Sequence, residues 1–422
     1  MPTYLTPDVY IEEVPGGARP IEAAGTSTAG FVGVSPKNDA YLNEARAINN
    51  WTEFTKEFGQ GSTPLSQAVY GFFLNGGRRC FVVNVGPNNP VTGGGANRTG
   101  LGVLEQVDEV AIVAIPGFTD AASYDAALSH CENLRYRVAV LDPPEEVSDI
   151  SQLTKVATAP SMAVASEEPA DKPAPSKPAA RKGASNEPGP PKPPAPAPGL
   201  RPRLSEYGAF YFPWITVVDP FSNKTVNVPP SGHIAGLWAR SDASRGVHKA
   251  PANEAVRGAL NVKYSLTREE QGVLNQNGVN AIRFFPNEGI RVWGARTVAT
   301  SSSEYRYLNV RRLFCMIEDS IGRNTRWIVF EPNDMTLWKS IRRDISHFLL
   351  RLHRDGMLMG RTPEEAFFVK CDEETNPPEA RDAGEVRTIV GLAPVKPAEF
   401  IIFRISQWAG GTNVETQGGP SA

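Results

Sequence analysis

Histidine, aspartate and serine side chains near the middle of the sequence are the first candidates for chemistry. His233 and His248 flank Asp242, a composition that could bind a metal ion or supply a catalytic base. Their spacing matches no metal-ligand motif, and Ser231 with His233 and Asp242 does not form the GxSxG turn of a serine hydrolase. We therefore expect neither a catalytic nor a metal site in this region.

Two further clusters could bind a cation. His347 and His353 lie on one predicted helix, but six residues place them roughly 240° apart around its axis, so they cannot chelate one ion. The acidic triplet at 372–374 follows a predicted strand and could hold a divalent metal, although a solvated loop is the simpler interpretation.

Nothing in the sequence indicates a cofactor. The glycine-rich segments at 86–90 and 92–100 lack the spacing of a phosphate-binding loop or a dinucleotide fingerprint, so we expect surface loops. The cysteines show no metal-ligand spacing, and we expect buried, reduced thiols at Cys80, Cys131, Cys315 and Cys371.

Length and charge limit the protein class. The 422 residues are enough for two or three domains. A net charge of -3 and a pI of about 6.1 do not favour a non-specific nucleic-acid binder. No apolar run is long enough to cross a bilayer, and residues 1–17 do not resemble a signal peptide. We expect the protein to be made in the cytoplasm and to stay there unless lysis releases it, and we expect no insertion into membranes.

The elements that would position any site alternate along the chain. Apolar strands alternate with amphipathic helices, a pattern typical of an α/β layer that contains parallel strand pairs. The predicted strands are 29–35, 80–85, 110–115, 137–141 and 206–219, and the predicted helices between them include 62–73 and 121–133.

A proline-rich tract at 160–202, within an insertion at about 145–204, interrupts this pattern. Its composition cannot bury enough apolar surface to offset the entropy of ordering, so we expect an extended, polyproline-like excursion on the outer surface. Predicted strands on both sides end in Asp-Pro, which indicates that the tract interrupts one domain. The PxxP pattern at 175–178 leaves recruitment of a partner open.

A long amphipathic helix is predicted at 335–354, with Asn333 or Asp334 as its cap and Gly356 as its end. Leu337, Ile341, Ile345, Phe348, Leu349 and Leu352 share one stripe, with Trp338 at its edge. The opposite side is basic and carries Lys339, Arg342, Arg343, His353 and Arg354.

The sequence predicts a strand near each end of the chain, and each of these strands must pair with a sheet elsewhere. In the segment 4–14, Val9 and Ile11 face one side and Tyr10 faces the other. In the segment 397–408 both faces are apolar, so both faces must be buried against other elements. The apolar residues of the second segment are Phe400, Ile401, Ile402, Phe403 and Ile405.

Several long motifs, in order along the chain, resemble one family. These are the opening segment PTYLTPDVYIEEVPGGARPIEAAGTSTAGFVG, then GVHKAPANEAVRGAL, GIRVWGARTV, YLNVRRLF and WIVFEPND, and the closing segments FFVKCDEETNPPEARDAG and VGLAPVKPAEFIIFRISQW. They are similar to the contractile tail sheath proteins of myophage tails, R-type pyocins and extracellular contractile injection particles. Length and sequence favour the injection-particle branch, and only the insertion departs from the family pattern.

The resemblance implies a mixed α/β sheath core whose mixed sheets are flanked by helices, with strand arms at both ends. The implied division is an N-terminal arm at 1–20, an outer domain at 21–250, an inner domain at 251–395 and a C-terminal arm and tail at 396–422. It implies a structural protein, not an enzyme, that forms stacked hexameric rings around an inner tube and contracts.

The resemblance also implies roles for particular residues and partners. The arm strands would add to neighbouring subunits and turn at hinges, for which Gly16, Gly17, Pro394 and Pro397 are candidates. The basic side of helix 335–354 would touch the inner tube, and baseplate and tail-end cap proteins would be further partners. An α/β enzyme with a proline-rich regulatory loop, or a polymeric receptor-binding shell, are the alternatives; the first would be a small oligomer with a deep polar pocket.

Overall fold

The protein alternates strands and helices over most of the described chain. The computed structural model describes residues 20–93, 98–158 and 199–402. The strands are β1 (Ala29–Gly33), β2 (Arg46–Ile48), β3 (Cys80–Asn84), β4 (Ile112–Ala114), β5 (Val138–Leu141), β6 (Gly208–Phe212), β7 (Ile215–Val218), β8 (Thr225–Val228), β9 (Glu254–Ala255), β10 (Ala259–Val262), β11 (Val279–Phe285), β12 (Gly289–Trp293), β13 (Phe367–Lys370) and β14 (Ile389–Leu392). The helices are α1 (Trp51–Phe58), α2 (Pro64–Asn75), α3 (Leu101–Leu104), α4 (Ala121–Leu134), α5 (Ser231–Arg245), α6 (Arg268–Gln276), α7 (Leu308–Asn324), α8 (Met335–Arg354), α9 (Pro363–Ala366) and α10 (Pro378–Asp382).

A nine-stranded sheet forms the centre of the molecule, in the order β2-β3-β1-β4-β5-β6-β11-β12-β9. The six strands from β3 to β11 are parallel, and antiparallel strands lie at both ends. The predicted α/β class with mixed sheets flanked by helices is therefore confirmed.

Side chains alternate between two apolar cores on the faces of this sheet. Phe31 and Val82 face the layer of α1, α2 and α5, whereas Val32 and Val83 face the layer of α3 and α4. Both faces are covered, which explains why the parallel strands read as continuous apolar runs. The smaller sheet β10-β7-β8 packs into the first of these cores.

A third core lies in the C-terminal part of the chain, between α7, α8 and the two-stranded sheet β13-β14. The predicted helix 335–354 forms with these bounds, and its first turn is capped by the Asp334 side chain, which accepts a hydrogen bond from the Leu337 N–H. All six predicted stripe residues are buried, and Trp338, predicted at the edge of the stripe, is only 2% exposed.

The boundary that the sequence predicted at residues 250–251 falls inside the nine-stranded sheet. Strands β9, β11 and β12 lie after that position, and β11 pairs with β6, which lies before it. Their apolar residues, such as Ile282 and Val292, complete the same core as β1 and β3. The change from sheet to helices comes after β12. We call residues up to 298 the sheet domain and residues from 308, where α7 begins, the helical domain.

The insertion lies between β5 and β6, which are neighbouring parallel strands of one sheet. The sequence predicts its bounds at about 145 and 204, whereas the described structure continues to residue 158 and resumes at 199. Residues 150–154 form a 3₁₀ helix, and Val156 forms a parallel bridge with Arg201. The two ends of the excursion therefore meet at this bridge; the tract at 159–198 lies outside the described residues.

A buried ion pair joins the two domains. Arg312 in α7 donates to both carboxylate oxygens of Asp242 in α5, at 2.9 and 2.6 Å, and both side chains are nearly inaccessible to water. Arg312 also donates to the Thr26 carbonyl oxygen and lies over the Trp238 ring, 4.7 Å from its centre. Thr26 Oγ1 donates to Asp242 at 2.6 Å, so both members of the pair have a further polar partner, as a stable buried ion pair requires.

The bridge at the base of the insertion predicts where the folded body ends and the insertion begins. Replacing 160–197 with a short glycine-serine linker should leave urea-induced unfolding unchanged, since no residue of the bridge is lost. Extending the replacement to 202 removes the buried Arg201, which donates to the Asn277 carbonyl oxygen at 2.7 Å. We expect that longer replacement to lose about 1–3 kcal/mol of unfolding free energy. Equal stability of the two replacements would contradict the assignment.

The ion pair between the domains makes a second prediction. Asp242→Ala leaves the Arg312 charge buried without its partner, so unfolding in urea should lose about 3–5 kcal/mol. Arg387→Ala breaks an exposed ion pair with Glu385 and is the matched control, with an expected loss below about 1 kcal/mol. A loss for Asp242→Ala no larger than that of the control would show that the pair does not hold the domains together.

Candidate assembly surfaces

The residues considered for catalysis have structural roles. His233 is buried in α5 against Gly71 of α2, where an added Cβ would lie 2.2 Å from the His233 ring. Burial lowers the pKa of His233 to about 4, so the ring is neutral at neutral pH. Asp242 is committed to the ion pair between the domains, and Ser231 donates its hydroxyl to Asp142 at 2.5 Å. These side chains therefore have no shared reacting centre.

The acidic triplet is a turn at the surface. Asp372 accepts hydrogen bonds from the backbone of Glu374 and Thr375, and Glu374 pairs with Lys370. Over residues 20–93, 98–158 and 199–402, no three His, Cys, Asp or Glu side chains are grouped so that they could hold a metal. All four cysteines are free and buried, as predicted. No helix in the described part of the chain is long and apolar enough to cross a membrane.

The two-stranded sheet of the helical domain has an inner and an outer face. Phe367, Val369, Val390 and Leu392 face the core against α8. Phe368 and Ile389 point the other way and are 57% and 51% exposed. Among the described residues this sheet holds two strands only, so β13 and β14 each keep an edge without a strand partner. An open edge beside exposed apolar side chains can accept a further strand.

The segment that follows β14 is held to the body at several points. The Met359 N–H donates to the Ala393 carbonyl oxygen at 2.8 Å, and Leu358 bridges Pro394. The Asn309 amide then donates to the Val395 carbonyl oxygen at 3.1 Å. Pro394 and Pro397, predicted as hinges, therefore lie in a segment fixed from both ends.

Glu399 forms the last of these attachments. Its carboxylate accepts hydrogen bonds from Asn275 Nδ2 at 2.6 Å, Arg296 Nε at 2.9 Å, Arg296 Nη2 at 2.7 Å and Tyr307 Oη at 3.2 Å. Burial alone would raise the pKa of Glu399, but the bonds from Arg296 and Asn275 outweigh it and the pKa lies below its usual range. We call Asn275, Arg296, Tyr307 and Glu399 the Glu399 clamp.

The chain leaves the body directly after this clamp. Phe400, Ile401 and Ile402 are 72%, 73% and 82% exposed and form no strand pairing in the described chain. Three consecutive exposed apolar side chains are unusual for a finished surface. The other residues predicted for the arms and hinges lie outside the described residues: Val9, Tyr10, Ile11, Gly16, Gly17, Phe403 and Ile405.

The outer side of α8 carries most of its predicted basic face. Lys339, Arg342 and Arg354 are exposed. Arg343 is partly buried and donates from Nε to the buried Asp344 at 2.9 Å, so its charge is compensated within the helix. Three of the four predicted cations thus remain available to a partner.

The N-terminal segment is attached to the helical domain, although it leads into the sheet domain. Ile21 is buried in the core of α7 and α8, and the Arg351 side chain donates to its carbonyl oxygen at 2.5 Å. The Ala24 N–H donates to Ser320 Oγ at 2.8 Å. An arm preceding residue 20 therefore starts from the surface of α7 and α8.

Sequence reasoning missed the Glu399 clamp and the Arg312–Asp242 pair. Arg296 and Arg312 lie within motifs quoted for the family resemblance, but neither motif reveals a partner 103 or 70 residues away. The usable signal was the position of Glu399 as the single acidic residue in a mostly apolar predicted strand. An isolated carboxylate of that kind calls for a cationic partner.

Family models of phage tail sheath proteins match most of the chain. The phage tail sheath protein central domain matches residues 101–298, and the phage tail sheath C-terminal domain matches residues 300–407. The tail sheath protein of Salmonella phage ViI is 31% identical over 43% of this chain and 28% of its own length. The tail sheath protein of Enterobacteria phage T4 is 28% identical over 47% and 29%. The matched segment therefore spans less than a third of these curated relatives.

Solved sheath structures match nearly the whole chain. The sheath of the PVC extracellular contractile injection system in its contracted state covers 97% of this chain and 99% of its own, with 29% identity and a TM-score of 0.73. The contracted helical sheath of the anti-feeding prophage covers 96% and 100%, with 28% identity and a TM-score of 0.72. The chain therefore belongs to the phage tail sheath protein family, a family of structural proteins and not of enzymes.

Proposed function

We propose that this chain is the subunit of a contractile sheath that polymerises as stacked hexameric rings around an inner tube and shortens to drive the tube through a target envelope. The observation that carries the proposal is the likeness, over 97% of the chain, to a sheath from an extracellular contractile injection system. A phage tail sheath is the second candidate, because the curated relatives come from phages.

Strand exchange is the proposed means of polymerisation. The apolar residues Phe400–Ile402 leave the body unpaired, and the sheet β13-β14 offers open edges beside Phe368 and Ile389. Strand addition would pair both sets of backbone groups and bury each large side chain for about 1.5–3 kcal/mol. The sequence pattern extends this proposal to Val9, Tyr10, Ile11, Phe403 and Ile405.

Contraction needs no nucleotide in this scheme. A sheath assembled in an extended, metastable state would store free energy in contacts between subunits, and a kinetic barrier would hold it there. Rigid bodies linked by arms can then rotate into a shorter, wider lattice without losing their connections. The buried pair between the two domains supports rigid-body motion of each subunit.

The inner tube is the proposed partner of α8. Lys339, Arg342 and Arg354 present positive charge on a helix whose other side is buried. Charge pairs at an exposed surface are reversible and weakened by salt, as a contact that must hold and then release requires. Arg343 contributes less, because Asp344 already compensates it. A baseplate and a tail-end cap are the further expected partners.

Removal of the C-terminal arm tests the function. A chain lacking residues 400–422 retains the Glu399 clamp, so it should fold like wild type by circular dichroism. Without the arm it should stay small by sedimentation, whereas the intact chain should form tubes visible by negative-stain electron microscopy. Sheaths of normal length from the shortened chain would rule out strand exchange by this arm, and a small oligomer of the intact chain would contradict the sheath function itself.

Charge reversal on α8 tests tube docking. Lys339→Glu with Arg342→Glu should reduce co-assembly with the inner tube protein in pull-down assays, since repulsion replaces attraction. The effect should be largest at low ionic strength. Lys56→Glu with Lys224→Glu, two exposed lysines of the sheet domain, is the matched control. Unchanged co-assembly of the α8 variant at low salt would place the docking face elsewhere.

A further inference from the structure

The path of the chain between the two domains limits where the C-terminal arm can turn. Strand β14 belongs to the helical domain, but Glu399 lies on the sheet domain, bonded to Asn275 of α6 and to Arg296 after β12. Residues 393–399 therefore cross from one domain to the other. A hinge inside this crossing would have to break its attachments at Ala393, Val395 and Glu399.

The Glu399 clamp is built as a fixed point. The carboxylate accepts four hydrogen bonds, which fills the acceptor capacity of its two oxygens. Its ion pair with Arg296 is largely shielded, at 19% and 12% side-chain exposure. Opening such a pair removes the partner of the shielded Arg296 charge, so release is costly.

The clamp is itself held by the sheet domain. Buried Asn280 of β11 accepts from the Arg296 N–H at 2.7 Å and donates to the Arg296 carbonyl oxygen at 2.8 Å. Arg296 Nη1 also donates to the Asn275 carbonyl oxygen at 3.1 Å. The guanidinium is thus oriented toward Glu399 by the sheet, independently of the arm.

We propose that Glu399 is the fixed root of the C-terminal arm and that the arm turns after residue 399, not at Pro394 or Pro397. Glu399 is a positioning residue: it sets the point and the direction in which Phe400–Ile402 leave the sheet domain. The role of the arm in a neighbouring subunit rests on the proposed function, but the position of the root does not.

Spin labels on either side of Glu399 test the proposal. The native cysteines are buried, so Ala398→Cys and Ile402→Cys can be labelled singly in the full chain, kept below its polymerisation concentration. Electron paramagnetic resonance should show a restricted label at position 398 and a several-fold more mobile label at 402. Similar mobility at both positions in the otherwise unchanged chain would overturn the proposal.

Variants of the clamp test whether the hydrogen bonds of Glu399 cause the restricted mobility at position 398. Glu399→Gln should raise the mobility at 398 toward that at 402, and Asn275→Ala, which removes one of the four bonds, should raise it less. Glu132→Gln removes another carboxylate with two Arg bonds, at 2.8 and 2.7 Å from Arg203, and is the matched control without effect at 398. An unaltered label at 398 in Glu399→Gln also overturns the proposal. A chain whose labels behave as expected but which never polymerises would contradict the proposed function. The proposal that Glu399 is the root of the arm would still hold.

Discussion

The ion pair between Arg312 and Asp242 is the constraint on which the remaining surfaces depend. It joins the first turns of α7 to the last turns of α5, and Thr26, just before β1, bonds to both partners. Three segments distant in sequence are thereby fixed at one point. A hydrophobic contact of similar size would tolerate sliding, whereas a buried bidentate pair loses its hydrogen bonds when either helix shifts. This contact therefore helps to set the relative placement of the sheet β13-β14, the basic face of α8 and the two ends of the described chain.

Each end of the described chain is attached to the domain that does not adjoin it in sequence. Ile21 and Ala24 lie on α7 and α8 although they precede the sheet domain, and Glu399 lies on the sheet domain although it follows the helical one. Each end thus spans the junction and reinforces it. Tension on either end is shared by both domains, which suits the proposed rotation of the subunit as one body.

Local patterns in the sequence predicted the elements well, and long-range contacts poorly. Helix α8 was predicted with its observed bounds because its cap, period and terminal glycine are all local signals. The placement of the insertion between β5 and β6 followed from a change in composition. The implied boundary at 250–251 falls inside the sheet because β11 pairs with β6, and a pairing between strands so distant in sequence leaves no local signal. Arg343 was placed with the free cations because its partner, Asp344, is a neighbour whose burial depends on tertiary packing.

The bridge between Val156 and Arg201 has a consequence for how this protein can change over evolution. Because the folded body already brings these two backbone segments together, the excursion between them closes a loop whose ends are fixed in advance. The entropy of closing a flexible loop grows only with the logarithm of its length, so each doubling costs about 0.6 kcal/mol. Insertions, deletions and changes of composition at 159–198 are thus nearly neutral for folding. A tract of another length or composition at this position therefore leaves the folded body unchanged.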